Sequence, residues 1–130
     1  MVFYGEYQVS LTEGGRIAIP KKIRDNLKGD VFILTKGFDE CLAGYDKSDW
    51  EKRTSTLMDV SLLEKEQIDK RRMLFSGAHE VVIDEQGRCV IPKSLTSLLN
   101  SDSKMTIVGV GDHFEIWNSE KWLMYVNKPL

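Results

Sequence analysis

The sequence predicts an α+β fold in which one structural unit occurs twice within 130 residues. The main observation is a phrase that recurs 72 positions apart, EGGRIAIP at residues 13–20 and EQGRCVIP at residues 85–92. A second observation is that strand-type alternation and helix signals follow one another in the same order in both halves. Self-similarity at a fixed spacing indicates an internal duplication.

The displacement of 72 positions aligns residues well beyond the repeated phrase. Two hairpins that merely used similar turn chemistry would share glycines, but they would not share a proline, a lysine and a tryptophan. The shared frame includes Gly5 with Gly77, Val9 with Val81, Gly15 with Gly87, Arg16 with Arg88, Pro20 with Pro92, Lys21 with Lys93 and Trp50 with Trp122. We therefore predict a first repeat at 5–53, a connecting helical segment at 54–76 and a second repeat at 77–125.

The first copy reads as a hairpin followed by a helix. Apolar residues alternate with polar ones over 7–11, which is typical of a half-buried strand. The glycines of 13–15 favour a tight turn, and 16–19 returns as a second strand. Pro20 suits the first turn of a helix, which we expect over 21–27.

Further elements follow in the same copy and in the connecting segment. The apolar run at 31–34 predicts a strand, and 38–45 predicts another with its turn. Ser48 with Glu51 three positions later matches a capping box that opens a helix. Residues 61–75 contain strong helix formers and no glycine or proline, and they predict one long helix.

The second copy repeats this order. We expect strands at 79–83 and 88–91 around the turn 85–87, with Ile17, Ile19, Cys89 and Ile91 anchoring the two returning strands. Pro92 opens a helix that contains Leu95, Leu98 and Leu99. Two later strands are predicted at 105–108 and 114–117.

The doubled unit resembles the MraZ family, bacterial relatives of the AbrB-like swapped-hairpin regulators. The resemblance rests on the family's DxxxR pattern, here Asp84 to Arg88 followed by Cys-Val-Ile-Pro-Lys, and on two such hairpins in one register over almost the whole chain. It implies a swapped-hairpin β-barrel with flanking helices and a pseudo-two-fold axis inside one chain. It also implies a ring-forming, DNA-binding transcriptional regulator of its own operon of cell-division and cell-wall genes.

The first copy departs from the pattern because Thr12 stands where the family has aspartate. In the second copy, Asp84 could accept hydrogen bonds from its turn and pair with the arginine. Threonine accepts a hydrogen bond without bringing the charge, and Glu13 is an alternative acid on the opposite face of a regular strand. We expect Thr12, Gly15, Asp84 and Gly87 to support the two turns.

The basic residues are concentrated in the repeated element although the chain has a net charge of −2. Five basic residues against one acidic residue give +4 between Gly15 and Lys28, and three against one give +2 between Gly87 and Lys104. An arginine directly after a glycine-bearing turn sits at a hairpin tip and projects from the protein. A two-stranded ribbon fits the DNA major groove, and its arginine can read guanine. The sequence thus predicts base contacts by two residues and phosphate contacts by four, namely Arg16 and Arg88 for bases, and Lys21, Lys22, Arg24 and Lys93 for phosphates.

Because the chain is slightly acidic overall, DNA affinity has to come from many phosphate contacts counted together, each with a salt slope near −0.9. We therefore expect a homo-oligomer, a ring by the resemblance, on double-stranded DNA with tandem promoter repeats about 10 bp apart. No apolar run approaches the roughly 20 residues of a membrane span, and no signal peptide is evident. We expect a cytoplasmic, nucleoid-associated protein with reduced thiols that needs no cofactor, metal or small-molecule substrate.

Three alternatives remain open from the sequence. An enzyme is disfavoured because no phosphate-binding, zinc-binding or nucleophile motif occurs, although the 72-residue displacement relates Cys41 to His113. An antitoxin-like partner protein is disfavoured by the short tail after the last predicted element. A ring scaffold is compatible with aromatic residues at subunit contacts, here Trp50, Phe114, Trp117 and Trp122.

Overall fold

The computed structural model describes residues 2–59, 64–99 and 103–129, which form eight strands and five helices. The strands are β1 Glu6–Ser10, β2 Arg16–Ala18, β3 Val31–Lys36, β4 Leu42–Asp46, β5 His79–Val82, β6 Arg88–Val90, β7 Lys104–Gly109 and β8 Phe114–Asn118. The helices are α1 Lys21–Arg24, α2 Lys47–Met58, α3 Lys65–Ser76, α4 Lys93–Thr96, which a 3-10 turn at Ser97–Leu99 continues, and α5 Ser119–Val126.

Six strands form one antiparallel sheet in the order β1-β7-β8-β4-β3-β5. If this order is reversed and each strand is replaced by its counterpart in the other copy, the same order results. At its centre Ala43 pairs with Glu115, which lies 72 positions later. Each copy therefore contributes three equivalent strands, and a local two-fold axis passes between β4 and β8.

The other two strands, β2 and β6, pair with each other and form an antiparallel ribbon. Its central pair is Ile17 with Cys89, which are again 72 positions apart. The sequence placed β2 as the return strand of a hairpin with β1, but β1 runs along β7 instead. The strands are present as predicted, whereas their partners come from the opposite copy.

Aliphatic side chains of both copies and three phenylalanines make up the main core. Ile17, Ile19, Cys89 and Ile91 are each no more than 3% exposed, as predicted for the anchors of the ribbon. Phe114 lies 5.7 Å from Phe3 and 5.3 Å from Phe32 between ring centroids. The ribbon is thus fixed on one side by a continuous apolar core shared between the copies.

Two helices differ in extent from the prediction. Helix α1 ends at Arg24, because the amides of Asn26 and Leu27 bond to carbonyls three residues earlier and tighten the last turn. Leu27 is still buried, so its apolar position was interpreted correctly. Helix α3 was predicted over 61–75 and runs over 65–76, and residues 61–63 lie outside the described part of the chain.

The cap of α2 is Asp46 and not Ser48. The Asp46 carboxylate accepts hydrogen bonds from the Asp49 amide at 3.3 Å, from the Lys28 amide at 2.8 Å and from the Ser48 hydroxyl at 2.6 Å. These bonds lower the pKa of Asp46 although its burial acts in the opposite direction. The helix consequently starts at Lys47, and Ser48 supports the capping residue.

Helix α5 was not assigned from the sequence. It begins after Asn118, the counterpart of Asp46, whose Oδ1 accepts from the amides of Glu120 and Lys121 at 3.0 and 3.2 Å. Trp122 on α5 is the residue that the repeat aligns with Trp50 on α2, so the duplication itself carried the missing signal.

The fold is α+β, as predicted. Among residues 2–59, 64–99 and 103–129, the strands pair into one six-stranded sheet and one two-stranded ribbon. The swapped-hairpin barrel and the boundaries of the two repeats stay predictions.

Candidate nucleic-acid interface

The outward face of the ribbon carries the two arginines that the sequence singled out. Strand alternation buries Ile17 and Cys89 and turns Arg16 and Arg88 to solvent. Arg16 lies opposite Val90, and Arg88 lies opposite a small neighbour, Ala18. Diagonal neighbours of this kind are about 7–8 Å apart in an antiparallel pair, so both guanidinium groups project from one narrow surface.

The first turn is closed by backbone bonds and by Thr12. The Gly15 amide donates to the Thr12 carbonyl at 2.9 Å, and the Thr12 amide donates to the Arg16 carbonyl at 3.0 Å. The Thr12 hydroxyl accepts from the Arg16 amide at 3.1 Å. Gly15 has φ +79°, a conformation that glycine adopts without a steric penalty. Thr12 therefore accepts the same amide bond that Asp84 accepts from Arg88 in the second copy.

The second turn has the same backbone and one more side-chain bond. Asp84 Oδ1 accepts from the amides of Gln86 at 2.8 Å and Arg88 at 3.0 Å. Gly87 has φ +80°, nearly the value of Gly15. These two amide bonds, that of Arg88 foremost, lower the pKa of Asp84, and the nearby charges of Arg88 and Arg16 act in the same direction.

The two arginine side chains of the ribbon make no ion pair with the carboxylates near the turns in the described part of the chain. Among the described residues, no ion pair within 4.0 Å joins Arg16 or Arg88 to an acid, Glu13 and Asp84 included. Asp84, which the sequence suggested as an ion-pair partner of the Arg88 guanidinium, bonds to the Arg88 backbone amide instead. Both arginine side chains face solvent as available donors.

Three of the four expected phosphate-contacting residues flank the ribbon as exposed cations. Lys21 and Lys22 begin α1, and Lys93 begins α4 at the matching position of the second copy. Lys21 has one loose, exposed ion pair with Asp25 at 3.7 Å. A pair of this type contributes little, so Lys21 remains accessible to an anion.

Arg24, the fourth of these residues, is engaged inside the protein. Its Nε donates to the Ile19 carbonyl at 2.9 Å, and the side chain is only partly exposed. A Cβ built at Gly87 would lie 2.9 Å from the guanidinium carbon of Arg24. The guanidinium group therefore rests directly against the turn of the second copy, which its position in the sequence does not reveal.

The residues that could have supported chemistry of another kind are held in structural roles. Burial raises the pKa of both Cys41 and Cys89 to about 12, which keeps them as thiols. His113 stacks on Tyr45 at 5.0 Å and contacts the carboxylate of Glu115 at 3.1 Å. No cluster of three or more potential metal ligands occurs in the described part of the chain.

The described helices include none that is long and apolar enough to cross a bilayer.

The family model described as "MraZ protein, putative antitoxin-like" matches the chain twice, over residues 2–73 and 74–129. A protein of Acetivibrio thermocellus named Transcriptional regulator MraZ is 40% identical over 124 residues, which cover 95% of this chain and 86% of that protein. Proteins of the same name from Roseiflexus sp. (strain RS-1) and Ligilactobacillus salivarius are 38% and 37% identical over 121 and 127 residues. These alignments cover 93% and 98% of this chain, and 84% and 88% of the relatives. The chain belongs to the MraZ family.

Proposed function

We propose that this chain is a sequence-specific DNA-binding regulator of transcription that reads bases with Arg16 and Arg88. The observation that carries the proposal is that both guanidinium groups lie on the outward face of a ribbon whose inner face is buried, with no ion-pair partner among residues 2–59, 64–99 and 103–129. The name Transcriptional regulator MraZ, which the relatives bear, supports the same function and argues against an enzyme.

The ribbon has the dimensions and the chemistry for direct readout. A two-stranded β-ribbon fits the major groove of B-DNA, and arginine donates two hydrogen bonds to O6 and N7 of guanine. Each such contact discriminates against the wrong base by about 1–3 kcal/mol. Ala18 and Val90 beside the arginines lack charge and let the ribbon approach the base edges closely.

Lys21, Lys22 and Lys93 supply the phosphate contacts in this proposal. They flank the ribbon on both copies, so the protein would hold the backbone on either side of the bases it reads. Such contacts fix the register of the protein without specifying sequence. Arg24, expected among them, has its Nε bonded to a carbonyl, and a contact to phosphate is left to its terminal amines at most.

Affinity in this proposal comes from several subunits together. The chain is slightly acidic overall, so one subunit offers few phosphate contacts and binds weakly. A homo-oligomeric ring would present several ribbons to tandem promoter repeats spaced by about one helical turn. The MraZ resemblance makes the protein's own division and cell-wall operon the first target to test. The site of action would be the cytoplasm, at the nucleoid.

Fluorescence anisotropy on DNA from upstream of the protein's own operon tests this function. Binding should exceed that to a scrambled duplex, and Arg16→Ala or Arg88→Ala should reduce affinity for the target far more than affinity for the scramble. Lys22→Ala is the matched control, and it should weaken both duplexes alike and lower the salt slope by about 0.9. Equal affinity of the native protein for target and scramble would refute sequence-specific readout.

A protein-interaction function is the second candidate. Helix α5 leaves several apolar side chains exposed, Leu123 and Met124 among them, which is typical of a protein contact surface. The matching family model is also described as antitoxin-like. Charge reversal by Arg16→Glu with Arg88→Glu separates the two functions. A regulator would lose DNA binding and keep its assembly state, whereas a scaffold or an antitoxin would keep its activity.

A further inference from the structure

Arg24 connects the first copy to the turn of the second copy through Ile19. The Ile19 amide donates to the Gly87 carbonyl at 2.9 Å, and the Ile19 carbonyl accepts from Arg24 Nε at 2.9 Å. The guanidinium plane lies against Gly87, where a Cβ would be 2.9 Å from both Nε and Cζ of Arg24. One side chain thus covers the glycine that directly precedes Arg88.

The corresponding position in the second copy cannot do the same for the first turn. Thr96 stands 72 positions after Arg24, and its hydroxyl donates to the Lys93 carbonyl of its own helix at 3.1 Å. Only its methyl carbon approaches the first turn, where it would lie 3.6 Å from a Cβ at Gly15. The Ile91 amide bonds to the Gly15 carbonyl at 2.8 Å, so the backbone connection is preserved. The Ile91 carbonyl, however, has no counterpart of the Arg24 bond within the described residues.

An open groove lies beside the first turn. Its volume is about 1050 Å³, and its lining includes Thr12, Gly15, Ile91 and Thr96. The local backbones of the two copies match, since the residue before each helix is a proline with φ −56° and ψ 144° in the first copy, and φ −55° and ψ 142° in the second. The difference between the two turns is therefore one of side chains.

From these contacts we propose that Arg24 is a positioning residue that braces the second turn from the first copy and makes the two turns unequal in stiffness. The second turn, with Asp84 and Arg24, is held in one conformation before DNA arrives. The first turn, with Thr12 and Thr96, keeps more freedom. Ordering a mobile group on binding costs free energy, so a pre-organised Arg88 would discriminate more sharply between bases than Arg16. This last step rests on the proposed DNA-binding function.

Hydrogen exchange of the free protein tests the brace without DNA. Arg24→Thr gives the second turn the side chain of the first, and Thr96→Arg gives the first turn the side chain of the second. The amides of Gly87 and Arg88 should exchange about tenfold faster in Arg24→Thr, while those of Gly15 and Arg16 should exchange more slowly in Thr96→Arg.

Arg24→Lys keeps the charge but lacks the planar group over Gly87, so it should also accelerate exchange at the second turn. If Arg24→Thr does not fold, Arg24→Lys still tests the brace. Lys22→Thr removes an equal charge from the adjacent exposed position and should leave both turns unchanged. Unaltered exchange of the Gly87 and Arg88 amides in a folded Arg24→Lys or Arg24→Thr would overturn the brace.

DNA titrations at several salt concentrations then separate positioning from phosphate binding. A brace predicts that Arg24→Lys lowers the target-to-scramble affinity ratio and leaves the salt slope unchanged. A phosphate contact instead predicts that Arg24→Lys keeps the target-to-scramble affinity ratio and that Arg24→Thr lowers the salt slope by about 0.9. This second pattern would overturn the positioning role. If exchange responds as expected but the native protein binds no DNA, the brace is supported and the proposed DNA-binding function is the part that fails.

Discussion

Replacing Asn118 with aspartate would place a buried carboxylate against a carbonyl oxygen. Asn118 is 5% exposed, and its Nδ2 donates to the Leu99 carbonyl at 3.0 Å while its Oδ1 caps α5. Aspartate caps a helix as well as asparagine does, so only the bond to Leu99 is lost. That bond contributes about 1 kcal/mol, and two buried acceptors without a donor cost about 1–3 kcal/mol more. We expect Asn118→Asp to lower the free energy of unfolding by about 2–4 kcal/mol at pH 7.

The loss should depend on pH in one direction. Unlike Asp46, the introduced carboxylate would face the Leu99 carbonyl, and we expect this contact and burial to outweigh the amide bonds of the cap. The pKa of the carboxyl should then lie above its ordinary value of about 3.9, so the folded variant binds the extra proton more tightly than the unfolded chain. The variant should therefore approach the parent near pH 4, where the protonated carboxyl can donate to Leu99, and lose stability as the pH rises.

Urea unfolding followed by tryptophan fluorescence measures this at one fixed protein concentration, because assembly also stabilises a folded subunit. Asn118→Ser is the matched control, since serine keeps the cap, lacks the donor to Leu99 and brings no charge. Its loss should be smaller and independent of pH. An Asn118→Asp protein within about 0.5 kcal/mol of the parent at pH 7 would refute the assigned bond.

Other substitutions and reagents test further parts of the structure. The pKa of His113 is raised above 6.5, first by its bond to a neighbouring carboxylate, so its stabilising contribution is present below pH 6.5 and is lost as the pH rises through the folded-state value. His113→Gln should flatten that fall in thermal melts between pH 6 and 8, and an unchanged slope would contradict the assignment. A Cβ at Gly44 would run into the ring of Phe114, so Gly44→Ala should cost about 1–3 kcal/mol in urea unfolding, whereas a neutral effect would show that the core can adapt. With pKa values raised from 9.0 to about 12, Cys41 and Cys89 should react with a disulfide reagent about a thousandfold more slowly in the native protein than in urea, and rapid native labelling would contradict their burial.

The repeated phrase predicted the local structure of the ribbon because its signals are local. Each signal determines the backbone within a few residues of itself. The signals are a glycine at a left-handed position, alternating burial along a strand and a proline before each helix. The turns at 13–15 and 85–87 and the buried anchors Ile17 and Cys89 were therefore predicted correctly.

The partner of β2 could not be predicted in the same way. Pairing of Ile17 with Cys89 joins positions 72 residues apart, and alternation within a strand is equally compatible with a neighbour from either copy. The copy-to-copy alignment does relate these two residues, but it does not say that they meet.

Arg24 shows the same limit for the candidate site. A cation at the start of a helix next to other cations indicates a phosphate contact when only the charge is considered. The bond from its Nε to the Ile19 carbonyl and its contact with Gly87 of the other copy are seen only in the folded structure. The phosphate contact stays a prediction. The cap of α2 is a related case, because Asp46 and Ser48 are both good capping residues and the end of β4 decides between them.

The exchange of strands between the copies has a consequence for how such a protein can evolve. In an assembly of two identical chains, every substitution appears on both sides of the axis at once, and the association depends on concentration. Joining the halves in one polypeptide replaces that equilibrium with a high effective concentration. It also lets the two halves carry different residues at equivalent positions, as Thr12 and Asp84 do, and Arg24 and Thr96. A symmetric framework can in this way hold two turns that differ in their supporting side chains.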